Sequence, residues 1–179
     1  DAFIDARVTT TVKAVILTGA GRAFSAGADL QEMGRNSYRP RHGFAGLLDA
    51  ILDFPKPFLL AVNGLGVGVG ATICGLADFV YMAAGARLRC PFSTLGLTAE
   101  AASTVTFPQL MGRQRAAWFL MAAEWMSAAE CKDAGLALEV VPDAMLMSRV
   151  REQAAKFAAL PLASLIQTKS LIMDPLRPQ

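Results

Sequence analysis

From Pro57 to Ala77 the chain carries no charged residue. An uncharged run of that length either spans a bilayer or is buried inside a protein core. Five glycines and Asn63 interrupt it, which a membrane helix would tolerate poorly and a tightly folded core requires. The run therefore reads as a buried strand over Phe58–Val62, a glycine turn over Gly64–Gly70 and a buried helix over Ala71–Ala77, with no membrane span. A strand, a turn and a helix in succession predict an α/β fold.

The remaining chain repeats that alternation. Val12–Thr18 is a β-branched strand pattern, ended by Gly19-Ala20-Gly21 and followed by a loop over Arg22–Asp29. Gly34–Gly43 is polar and turn-rich, which predicts a mobile loop. Phe44–Phe54 has helical spacing and stops at Pro55 and Pro57. Strands are expected at Asp78–Ala83, Arg87–Phe92 and Leu138–Val141. Helices are expected at Phe107–Ala123, Ala128–Gly135 with Ser127 as N-cap, Met145–Ala159 and Leu162–Met173. Residues 1–143 would form the core and 144–179 the start of a C-terminal helical region.

Composition excludes several function classes. Seventeen basic against fifteen acidic residues leave a net charge of +2, too balanced to indicate nucleic acid as a partner. Cys74, Cys90 and Cys131 form no CxxC pair, so a reducing compartment fits better than a disulfide framework. The one histidine, His42, cannot build a standard zinc site with scattered cysteines, and no metal is expected. Asp1–Lys13 is polar and lacks a leader pattern, so a soluble, intracellular protein is expected. Trp118 and Trp125 read as packing groups.

Glu100 is the one charged residue between Cys90 and Gly112. Leu97, Thr98, Ala99, Ala101 and Ala102 surround it. A carboxyl among such neighbours loses hydration, and its pKa rises toward the range of a proton carrier. A loop glutamate that reaches water, or an acid in the first turn of a helix, would leave the same pattern, so spacing alone keeps both open.

Two glycine-bounded turns accompany it, Gly19–Leu30 and Gly64–Ala71. Small residues let a ligand approach the backbone, and a helix start offers free N–H groups. Two such groups converging would stabilise an oxyanion; tight connections in a crowded core would look alike. Gly66-Val67-Gly68-Val69-Gly70-Ala71 also fits GxGxxA, the dinucleotide pattern. The acid expected roughly 20 residues on is missing, since none lies between Asp78 and Glu100, and Arg87 and Arg89 stand there instead.

The motifs together resemble one family. Val12–Met33 (VKAVILTGAGRAFSAGADLQEM) is similar to the first signature of the enoyl-CoA hydratase/isomerase family, the crotonases. Pro55–Leu97 resembles its second signature, and Ala128–Asp143 its helix-to-strand passage. The resemblance implies a crotonase-like (ClpP/crotonase) spiral of ββα units with C-terminal helices, assembled as a homotrimer or dimer of trimers. It implies an acyl-CoA substrate, with coenzyme A as part of the substrate and no separate cofactor.

By the same resemblance the backbone N–H groups of Ala28 and Val69 are the oxyanion donors, and Ser25, Ala26, Asp29 and Leu30 bind CoA. Hydratases of the family carry two glutamates where this chain has Thr72 and Phe92. Glu100 instead falls where the peroxisomal-type Δ3,Δ2-enoyl-CoA isomerases carry their catalytic glutamate, within PFSTLGLTAEAASTVTFPQLMG, where Ala99 replaces a proline. The expected acyl pocket is Thr72, Phe92, Leu95 and Phe107. Other crotonase-type acyl-CoA reactions, enoyl-CoA hydration among them, and a catalytically silent acyl-CoA binder are the alternatives. A dehalogenase would need a partner histidine, and His42 sits in the polar loop. Relative to the family's pattern, a first β-hairpin would precede Asp1 and further helices would follow Gln179. The implied compartment is the cytoplasm of a bacterium, or the peroxisome or mitochondrion of a eukaryote.

Overall fold

The computed structural model describes residues 1–29 and 42–174. Its centre is β3 (Phe58–Val62), whose five side chains are all fully buried. A strand covered on both faces must be apolar throughout, and parallel sheets make such strands. β3 lies between β1 (Val15–Thr18) and β5 (Phe79–Ala83), and β8 (Glu139–Val141) completes a parallel four-stranded sheet in the order β1-β3-β5-β8.

A second sheet runs in the order β2-β4-β6-β7, from β2 (Ala23–Ser25), β4 (Leu65–Val67), β6 (Arg87–Arg89) and β7 (Trp125–Ser127). Its first three strands are parallel, and β7 pairs antiparallel with β6. The chain thus climbs as a spiral. Each turn gives one strand to the first sheet, one to the second, and then a helix. The helices of successive turns are α2 (Gly43–Leu52), α3 (Val69–Thr72) and the pair α4 (Ser103–Met111) and α5 (Arg113–Met121). The crotonase-like fold expected from the motifs is the one found.

α1 (Ala2–Val8) precedes the spiral, and its Phe3 packs edge-on against Phe54 and Phe58 at 5.2 and 5.0 Å between ring centroids. α6 (Ala128–Ala134) starts with the expected cap. Glu130 N donates to Ser127 Oγ at 3.3 Å, and Ser127 N donates to Glu130 Oε2 at 2.8 Å, a reciprocal capping box. α7 (Leu146–Ala158) lies across β1, β3 and β5, and α8 (Leu162–Met173) follows it. No helix among the described residues is long and apolar enough to cross a membrane.

Several local expectations need correction. Arg22–Asp29 and Gly64–Gly70 were expected as loop and turn, yet they contain β2 and β4. Three-residue strands are too short to show an alternating pattern. Phe107–Ala123 is not one helix: α4 begins earlier, at Ser103, and Gly112, with φ 77°, separates it from α5. The expected Ala71–Ala77 helix is the short α3 followed by a 3-10 turn at Ile73–Gly75. Arg87–Phe92 is strand only to Arg89. Asp1–Lys13 contains α1, and Gly43 opens α2. Residues 34–41 of the expected Gly34–Gly43 loop lie outside the described residues, and His42 lies 3.1 Å from Asp1 Oδ1 through Nε2. Trp118 and Trp125 keep 40% and 37% of their surface exposed, with the Arg89 guanidinium 5.8 Å over the Trp125 ring.

Candidate active site

The two glycine turns meet. β1 and β3 run side by side, and both chains then cross to the second sheet as β2 and β4. Asn63, at the exit of β3, ties the crossings together. Its Oδ1 accepts from Gly19 N at 3.0 Å, and its Nδ2 donates to Gly21 O at 2.9 Å. The sequence signal for this role is slight, a lone amide in an uncharged run just before a glycine.

Beyond the crossing the backbones touch. Gly27 has φ +84°, and a Cβ there would sit 2.9 Å from Val67 O and 4.0 Å from the Cα of Gly68. A Cβ on Gly70 would lie 2.8 Å from both Cβ and O of Ser25. Gly27 and Gly68 immediately precede Ala28 and Val69, so the contact brings together the residues whose amides were expected to act as a pair. Val69 is the first residue of α3, a position whose N–H has no partner within the helix. Ala28 is exposed and Val69 half-buried. Val69 and Gly70 also wall a cavity of about 250 Å³ with Ser25, Phe24 and Ile73.

Of the residues expected to bind CoA, Ser25 is half-buried and accepts from Gly27 N at 3.3 Å, while Ala26 and Asp29 are exposed. Leu30 lies outside the described residues.

Strand β6 links these turns to Glu100. Gly68 N donates to Arg89 O at 3.0 Å. The next residue, Cys90, is fully buried. Its thiol is pushed up to about 12, first by burial and then by the nearby Glu100 charge and by Cys131. Glu100 is half-buried, and burial pushes its carboxyl above the ordinary 4.5 of a glutamate. No side chain or amide among the described residues hydrogen-bonds that carboxylate. Such a group has lost part of its water without a compensating hydrogen bond among the described residues, which shifts a carboxyl toward holding its proton. The neighbouring residues Thr98 and Ala99 help wall a cavity of about 410 Å³ with Leu97, Thr104, Arg113 and Leu120; Glu100 itself is not part of that wall.

Thr72 is fully buried in α3, and its Oγ1 has no hydrogen-bond partner among the described residues. Phe92 is buried at 6% exposure and Leu95 is 46% exposed. Phe107 is fully buried and stacked on Phe119 at 5.8 Å, within the core. No group of three or more His, Cys, Asp or Glu residues able to hold a metal occurs among the described residues. All three cysteines are buried and free.

A second acid, Asp78, is well enclosed, with 17% of its side chain exposed. It accepts from Lys169 Nζ at 2.7 Å and from Phe58 N at 2.8 Å. Local sequence could not reveal it, because Lys169 lies far along the chain.

Comparison with known proteins gives a consistent result. The family described as enoyl-CoA hydratase/isomerase matches residues 1–179. Enoyl-CoA delta isomerase 2 of Rattus norvegicus is 36% identical over 164 residues, covering 88% of this chain and 42% of that protein. A probable enoyl-CoA hydratase of Rhodobacter capsulatus is 35% identical over 167 residues, covering 91% of this chain and 65% of the relative. This chain therefore spans less than two thirds of either relative's length. The crystal structure of an enoyl-CoA hydratase from Mycobacterium marinum superposes with a TM-score of 0.92 at 46% identity, covering 97% of this chain and 83% of that one.

Proposed function

This chain belongs to the enoyl-CoA hydratase/isomerase family, and we propose that within it the chain converts a 3-enoyl-CoA to the 2-trans-enoyl-CoA, with Glu100 as proton carrier. The carrying observation is Glu100 itself: a half-buried carboxylate whose pKa burial raises, with no hydrogen-bond partner among the described residues.

The chemistry follows from charge. The amides of Ala28 and Val69 would donate to the thioester carbonyl, and their hydrogen bonds strengthen as negative charge builds on that oxygen. This acidifies C2. Glu100 takes the C2 proton, the electrons spread over a dienolate, and the same carboxyl returns the proton to C4. One proton leaves and one is delivered, so no water is added. Hydration would need groups that activate a water for attack on C3 and deliver a proton to C2. Thr72 and Phe92, which stand where the family's hydratases carry glutamates, cannot move a proton at neutral pH.

Ser25, Ala26, Asp29 and Leu30 would line the CoA moiety. The acyl tail would lie among Thr72, Phe92, Leu95 and Phe107, of which Thr72 and Phe107 are fully buried. Assembly as trimers or pairs of trimers belongs to the same proposal.

The relatives carry both isomerase and hydratase names, so both reactions belong in the test. Turnover of 3-cis- and 3-trans-enoyl-CoA by the full-length protein is measured beside Glu100→Gln, with hydration of 2-trans-enoyl-CoA in parallel. Isomerisation lost in the variant, with negligible hydration, is expected. Hydration that survives Glu100→Gln would move the catalytic groups elsewhere, and tight acyl-CoA binding without turnover would mean a silent binder.

A further inference from the structure

Helix α4 starts against the usual rules. Its cap position is Ala102, which offers no side-chain acceptor, where Ser, Thr, Asp or Asn is the ordinary choice. Three non-glycine residues among those described have left-handed backbones, and two of them, Ala101 (φ 52°) and Ala102 (φ 55°), directly follow Glu100. A Cβ disfavours that conformation, so the surroundings must hold it.

Ser103 does the holding. It is fully buried. Its Oγ donates to Glu100 O at 2.6 Å and its N donates to the same oxygen at 3.0 Å. Thr106 secures the other end of the turn, donating to Ala102 O from N at 2.9 Å and from Oγ1 at 3.3 Å. The main chain on both sides of the strained pair is thereby tied to α4. The Glu100 carboxylate has no hydrogen bond of its own among the described residues, so what the structure fixes for it is the main chain from which the side chain departs.

We propose that Ser103 is a positioning residue for Glu100: its buried hydroxyl closes the left-handed turn on the Glu100 carbonyl and so holds the main chain from which the carboxylate reaches. The proposal rests on the role of Glu100 given above. It assigns the hydroxyl no contact with substrate.

The test uses full-length protein and a 3-enoyl-CoA. Ser103→Ala is expected to bind a non-reacting acyl-CoA with wild-type stoichiometry and with Kd within about twofold, while kcat per bound site falls on the order of tenfold, as for a misplaced catalytic group. On a Glu100→Asp background, where the carboxylate is already displaced, the same substitution is expected to cost less than about threefold, because the two changes act on one geometry. Ser103→Cys keeps most of the volume with only a weak donor, and it is expected to show the same loss should Ser103→Ala not fold. Unchanged kcat per bound site, or an equal loss on both backgrounds, overturns the proposal while leaving Glu100 in place. Wild-type turnover by Glu100→Gln would overturn the role of Glu100 as well.

Discussion

Gly27 and Val67 are in backbone contact: a Cβ on Gly27 would lie 2.9 Å from the Val67 carbonyl oxygen. These residues come from separate turns of the spiral. Their contact fixes where the amides that follow them can point.

Gly27→Ala should therefore be severe. The new methyl group meets main chain rather than a flexible side chain, and φ +84° is strained for any residue with a Cβ. The turns must separate, and Ala28 N–H moves with them. Loss of one such donor typically costs about a hundredfold or more in kcat. That drop, with an unchanged far-ultraviolet spectrum, is the expected outcome. Near-normal kcat would show that the turns need not touch.

The raised pKa of Glu100 predicts a pH dependence of rate and of stability. As the base, Glu100 must be ionised, so kcat/KM should rise with pH through a midpoint above the ordinary 4.5. For stability the sign is opposite. The folded state holds this proton more tightly than the unfolded one, so the contribution of Glu100 is present below its unfolded pKa and lost as pH rises through its folded pKa. Glu100→Gln should then melt at or above the wild-type temperature at neutral pH. A gain of about 2 °C or less is expected for a group this open to solvent, and it should vanish in acid. Melting curves at pH 4 and pH 8 check this.

Lys169 clamps α8 to the spiral. Its ammonium donates to Asp78 Oδ2 at 2.7 Å and to Lys56 O at 3.1 Å, with side-chain exposure of only 11% for Lys169 and 17% for Asp78. Burial pushes the Asp78 carboxyl up and the Lys169 ammonium down, and the pairing opposes both changes. Lys169→Met strands a buried carboxylate and should cost about 3 kcal/mol. Asp78→Asn combined with Lys169→Met should recover part of that loss. Denaturant melts of both variants measure the difference. Equal stability of Lys169→Met and wild type would mean that the pair holds nothing in place.

Local sequence determined those elements whose surroundings are uniform. β3 was legible because a strand buried on both faces is a continuous apolar run, and α8 because its helical spacing persists over its whole length. The Ser127 cap was legible because its partner, Glu130, is three residues away. Glu100 was visible as an isolated charge, and the two turns as glycine clusters.

Tertiary structure decided the rest. β2, β4 and β7 are strands only because the spiral stacks them edge to edge; with three residues each, they carry no readable period. The division of α4 from α5 depends on one backbone angle at Gly112. The site depends on contacts that sequence distance conceals: Gly27 against Val67, Asn63 on Gly19 and Gly21, Ser103 folded back on Glu100, and Lys169 on Asp78. A residue's chemistry is written in its own side chain and near neighbours. The partner it meets is set by how the whole chain winds, and no local pattern records that winding.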